Sequence, residues 1–142
     1  MNIMNILTRW AILAIFIASP MHGQAEPQWI NIEDPDEVRE LVVGKAIGDK
    51  GWVEYFRVDG NTAQLALDSI AIRKWSINDN GKLCTAVYSL PDRIIDCYTF
   101  QRTTSDPTQY RIQFNEGVSN FQVFDEPPKS LVDALVERTG TN

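Results

Sequence analysis

The chain has 142 residues, with 13 Lys and Arg against 19 Asp and Glu, and a net charge of −6. An acidic balance without a basic run excludes the clustered cations that nucleic acids and anionic lipids require. The single histidine, His22, and the two cysteines, Cys84 and Cys97, leave few nucleophilic or metal-binding groups to account for.

Residues 1–25 read as a cleavable secretory signal. Arg9 precedes an apolar run from Trp10 to Ser19, Pro20 ends that run, and Gly23-Gln24-Ala25 puts small residues at the −3 and −1 positions of a cleavage site. A membrane-spanning helix needs about 20 apolar residues, so no anchor is expected after cleavage. No cysteine follows the site to carry a lipid. The expected product is a single exported domain, residues 26–142, in the periplasm or outside the cell. Its charge is −7 and it has no histidine.

Glu26 to Glu33 reads as an extended lead-in. Asp34-Pro35-Asp36-Glu37 then starts a helix: Asp34 caps, Pro35 suits the first helical position, and the acids face the positive end of the dipole. Val38, Leu41 and Val42 share a face of this helix, expected over 35–43, and Gly44 stops it. Trp52, Glu54, Phe56 and Val58 next alternate with Val53, Tyr55 and Arg57, the period of a strand. Asp59-Gly60-Asn61 turns the chain into a partner strand, Thr62 to Leu67. Ile70 to Ile77 is a third run, and Asn78-Asp79-Asn80-Gly81 a second turn. Further strands are expected at Lys82–Ser89, Arg93–Gln101, Tyr110–Phe114 and Asn120–Phe124. Pro127-Pro128 ends the sheet, and a second helix covers about 129–138. The fold class is therefore mainly β with two short terminal helices (α+β). An antiparallel meander forms either a curved sheet or a small barrel, and the sequence leaves that choice open.

In an antiparallel pair, facing residues have a constant index sum. A hairpin around Leu90-Pro91 with Ser89 opposite Asp92 also puts Cys84 opposite Cys97, Ala86 opposite Ile95, Val87 opposite Ile94 and Tyr88 opposite Arg93. In an exported chain this pair reads as a disulfide staple. A redox role would call for Cys-x-x-Cys beside a helix start, which is absent.

With no histidine in the mature chain, the usual general base and the Ser–His and Cys–His nucleophile pairs are missing. No catalytic residue, cofactor or metal is expected. Aligning Gly81 with the sixth position of a calcium loop puts Val87 at the twelfth, where an acid is needed. Carboxylate chemistry remains open to Glu54, Asp59, Asp68, Asp79, Asp92 and Asp96, though aspartates in turns have backbone reasons to be there. Trp52, Tyr55, Phe56 and Trp75 are the candidate ligand-binding residues, because pockets in barrel mouths are aromatic and apolar.

The segments Glu54-Tyr55-Phe56, Asp59-Gly60, Lys74-Trp75-Ser76-Ile77, Gly81-Lys82-Leu83-Cys84 and Asp96-Cys97-Tyr98 resemble a pattern in small exported β-domain proteins of Gram-negative bacteria of unknown function. The similarity covers about residues 38–124 and implies a periplasmic β domain with no known activity. The Trp before a Cys-bearing strand is also similar to the small periplasmic barrel inhibitors of proteases and lysozymes, without a matching inhibitory segment. The expected function is a non-enzymatic exported binding or interaction domain for an unknown protein or small ligand, with no nucleic acid bound. The alternatives are a periplasmic inhibitor of a hydrolase and a carboxylate-based hydrolase.

Overall fold

A computed structural model gives the structure of residues 25–140. The expected signal segment, Ala25 apart, lies outside the described residues. In chain order the elements are β1 (Trp29–Asn31), α1 (Pro35–Val42), β2 (Ala46–Asp49), β3 (Trp52–Phe56), β4 (Asn61–Ala66), β5 (Ser69–Ile77), β6 (Leu83–Val87), β7 (Leu90–Thr103), β8 (Tyr110–Phe114), β9 (Gly117–Phe124) and α2 (Lys129–Thr139).

Each strand from β2 to β9 pairs antiparallel with the next in sequence, and β9 pairs back onto β2. The meander is thus a closed, eight-stranded up-and-down barrel, in which no strand of the ring is left as a free edge. β1 lies outside that ring and pairs with the last part of the 14-residue β7. Two strands go unread in the sequence, β1 inside the lead-in and β2 after Gly44. Both are too short to show a period. In β2, Gly48 stands where a Cβ would lie 2.4 Å from the Trp52 carbonyl oxygen, so the close return of β3 requires glycine.

α1 forms as its caps dictate. Asp34 Oδ1 accepts from the Asp36 backbone N–H at 2.9 Å, and Pro35 occupies the first turn. The fully buried Val38 and Val42 join a core with Phe56, Trp75, Leu83 and Phe100, whose side chains fill the barrel. α1 therefore closes one end. At that end Phe56 and Trp75 meet edge to face at 5.9 Å, and the Trp75 indole N–H donates to the Arg57 carbonyl at 2.9 Å. Arg57, Asp59 and Asn61 tie the adjoining turn together, and the Arg57 guanidinium holds the Asp59 carboxyl down at about 2. α2 packs on the outside of the barrel. Its Leu131 and Leu135 sit on Ala63, with Val53, Tyr55, Leu65 and Ile72 around them.

The expected cysteine register is found over three residue pairs. Leu83 faces Tyr98, Cys84 faces Cys97 and Thr85 faces Asp96. The sulfurs are bonded, with Cα atoms 4.0 Å apart. Beyond Thr85 the expected pairs fail: Ala86 faces Ile94 rather than Ile95, and Val87 faces Leu90 rather than Ile94. The reversal falls at Tyr88-Ser89, and Leu90-Pro91 belongs to β7. Pro91 has no N–H for the ladder, so residues 91–93 leave the pairing as a bulge instead of forming the turn. The turn at 78–81 is as expected. Asn78 Oδ1 accepts from the backbone N–H groups of Asn80 and Lys82, and Gly81 adopts φ +71° against the backbone of Glu33.

Closing a loop of 13 residues by a disulfide stabilises a fold by roughly 3 kcal/mol in the chain-entropy model. The double change Cys84→Ser, Cys97→Ser is expected to lower unfolding free energy by about that amount while near-ultraviolet circular dichroism stays native. Urea unfolding at neutral pH measures it, and an unchanged midpoint would contradict this account of the staple.

Candidate functional site

In an up-and-down barrel, alternate connections lie at the same end. The β2–β3, β4–β5, β6–β7 and β8–β9 turns therefore surround the end opposite α1. That mouth opens into a cavity of about 500 Å³, within the range of small-molecule sites. Inward-facing positions of β3 and β4 supply Trp52, Glu54 and Gln64, and those of β7 supply Asp96 and Tyr98. Ile112, Phe114 and Ser119 come from β8 and β9, and the β8–β9 turn adds Asn115 and Glu116. Among the described residues no Lys or Arg lines it. A larger hollow, about 720 Å³, lies outside the barrel against Glu33, Asp79, Asn80, Lys82 and Cys97. It is built mainly of polar turn and strand residues on the outer surface, whereas the mouth reaches the buried Glu54 inside the barrel, so the mouth is the stronger candidate.

The barrel interior changes character along its axis. Around α1 it is apolar; midway it becomes a polar layer of Glu54, Thr62, Thr85 and Tyr98. Glu54 is only 2% exposed and Thr85 is fully buried. Burial pushes the Glu54 carboxyl up to about 7, with the Thr62 hydroxyl and the Arg73 guanidinium opposing the shift. Thr62 Oγ1 lies 3.0 Å from Glu54 Oε1 and 2.8 Å from the Tyr55 carbonyl oxygen. A hydroxyl has one proton. Thr62 therefore donates to the Glu54 carboxyl or to the Tyr55 carbonyl, and its donation to Glu54 is what opposes the rise. Burial also raises the Tyr98 phenol, and the Glu54 and Asp96 carboxylates add to that rise. The Thr85 hydroxyl is near enough to favour ionised Tyr98 electrostatically. It makes no hydrogen bond of ordinary length and angle, and it is the one buried side-chain polar atom among the described residues without a partner.

The four aromatic candidates separate. Trp52 lines the cavity and is half-buried. Tyr55, on the opposite face of the same strand, packs under α2. Phe56 and Trp75 point inward but sit in the apolar core at the α1 end. Strand alternation distinguishes Trp52 from Tyr55. It cannot distinguish Trp52 from Phe56, which share a face and differ only in depth along the barrel axis.

Of the six candidate carboxylates, Glu54 and Asp96 meet in the cavity. Asp59 is held by Arg57 at the closed end, Asp68 and Asp79 lie in turns, and Asp92 lies in the bulge of β7. Among the described residues no three His, Cys, Asp or Glu side chains come close enough together to hold a metal ion. The sequence reading missed Gln64, Tyr98 and Glu116 as site residues. Inward parity could have found the first two once β3 was oriented, whereas Glu116 is one more acid in a turn until the barrel closes. No family model, curated protein or solved structure matches the chain.

Glu54 has a folded-state pKa above its unfolded value of 4.5. Its contribution is therefore complete below pH 4.5 and is lost as pH rises toward about 7, a loss on the order of 3 kcal/mol. Glu54→Gln keeps the shape and removes the titration. Urea midpoints from pH 4 to 8 are expected to fall through this window in the parent chain and to stay level in the variant, apart from trends common to both. Parallel curves would contradict the assignment.

Proposed function

We propose that this chain is exported to the periplasm or beyond, and that it acts there as a non-enzymatic binding domain whose ligand enters the open mouth of the barrel. One observation carries the binding reading. A polar layer that includes the buried carboxyl of Glu54 and the half-buried phenol of Tyr98 lines the cavity beneath a mouth that could have been closed like the other end. Buried polar groups cost stability unless they are satisfied, and an entering ligand can satisfy them. Among the described residues the lining has carboxyls at Glu54, Asp96 and Glu116 and no Lys or Arg, against the single Arg73 guanidinium that acts on Glu54 and Tyr98, a balance that favours a ligand carrying an ammonium or other hydrogen-bond donor. The Cys84–Cys97 bond is consistent with an oxidising compartment.

A second reading has a specific observation behind it. Glu54, poised near 7, shares the cavity with Asp96, and one carboxylic acid with one carboxylate is the minimum set for hydrolysing a glycoside. Substitution separates the two readings. In the binding reading, butylammonium shifts the Trp52 indole and Gln64 amide resonances in nuclear magnetic resonance spectra. Asp96→Asn and Glu116→Gln weaken that shift, and no glycoside turns over. Turnover abolished by Glu54→Gln or Asp96→Asn, with the fold intact, would replace binding with hydrolysis. Export is tested by intact mass: the mature protein should begin at Glu26 and weigh about two daltons less than its reduced form, the hydrogens lost in a disulfide.

A further inference from the structure

The rim of the mouth is apolar to an unusual degree. Leu67 stands on the β4–β5 hairpin, Leu90, Ile94 and Ile95 on β6–β7, and Phe114 and Val118 on β8–β9, all of them exposed. Single exposed apolar residues are ordinary. Apolar residues on three successive hairpins around one opening are a surface of a different kind.

Leu67 supplies an independent observation. It is 94% exposed and lies at φ +49°, followed by Asp68 at φ +62°. Ala66 faces Ser69, so these two residues form the whole hairpin turn. Positive φ at both positions is the geometry that Asn-Gly adopts without strain. A leucine there forfeits backbone stability and contributes no packing. Backbone strain of this sort gathers at ligand-binding positions, and the β4–β5 turn that carries Leu67 stands at the mouth end of the barrel.

We infer that the mouth binds a cationic amphiphile, with its ammonium group among Glu54, Asp96 and Glu116 and its apolar body across the rim at Leu67, Leu90, Ile94 and Phe114. This rests on the binding reading above and adds the class of ligand. Charge selects the occupant. An anionic amphiphile would bring its head group against three lining carboxyls, with Arg73, which acts on Glu54 and Tyr98 from outside the lining, as the cation that opposes them, and an anionic bilayer would meet an acidic protein. Size argues for an elongated body, because the apolar residues of the rim lie largely outside the 500 Å³ cavity.

The test compares dodecylammonium, butylammonium and dodecyl sulfate as monomers below their micellar concentrations. Binding is followed by Trp52 resonances, with near-ultraviolet circular dichroism monitoring the fold. Burial of two further methylenes already amounts to roughly tenfold in affinity, so dodecylammonium should bind at least about tenfold tighter than butylammonium and than dodecyl sulfate. Leu67→Asn suits positive φ. It should raise the thermal midpoint while lowering dodecylammonium affinity severalfold, and it should leave butylammonium affinity unchanged. That opposition of stability and binding is not expected of a residue with only a structural role. If butylammonium binds and tail length or Leu67→Asn makes no difference, the rim inference fails and the cavity reading survives. If dodecyl sulfate binds as tightly as dodecylammonium, the charge assignment fails. If neither amine shifts the cavity resonances, both readings fail.

Discussion

The ladder between β2 and β9 is the constraint on which the rest of the structure depends. Ala46 pairs with Phe124, Ile47 with Val123 and Gly48 with Gln122, and these three pairs join the first strand of the meander to the last. Without them the sheet would be open, with β2 as a free edge and its inner face in water. With them every strand of the ring has two neighbours, and each strand's side chains divide into an inside and an outside. The apolar core, the polar layer and the mouth all follow from that division. The demands on β2 are correspondingly strict: it must lie between two neighbours while the chain doubles back at once into β3, and Gly48 permits the close approach.

The two ends of the barrel receive different treatment from the chain. At one end α1 places Val38 and Val42 over Phe56, Trp75 and Phe100, and the aromatic rings pack as they would in any core. At the other end no element among the described residues covers the interior, and the inward positions become polar. β3 passes through both environments in five residues, with Phe56 in the core, Glu54 in the polar layer and Trp52 at the mouth. The raised pKa of Glu54 is a consequence of this placement. The carboxyl lies too deep for full hydration, and the Thr62 hydroxyl and the Arg73 guanidinium only partly offset its burial.

The groups that brace the fold and the groups that cost it stability are separated in space. The disulfide, the Arg57–Asp59–Asn61 turn and the two helices belong to the outer surface or the closed end. The groups that cost stability are the unpaired Thr85 hydroxyl, the desolvated Glu54 and the positive-φ Leu67, and they line the interior or the open end. A well-braced closed end allows the mouth to retain such groups within one cooperative fold.

Local chemistry made much of this protein legible from its sequence. Asp34-Pro35 starts α1, Asn78 to Gly81 makes a turn, period-two runs mark the longer strands, and the index sum places Cys84 opposite Cys97. Each of these is decided within a dozen or so residues, by capping, turn geometry or strand alternation. The bulge at 91–93, the short strands β1 and β2, and the closure of the barrel needed tertiary structure. So did the separation of Trp52 from Phe56, and the meeting of Glu54 with Asp96 and Glu116. Alternation tells which side of a strand a residue faces, but depth along a barrel and neighbours across it depend on how eight strands are staggered, and no local pattern encodes that stagger.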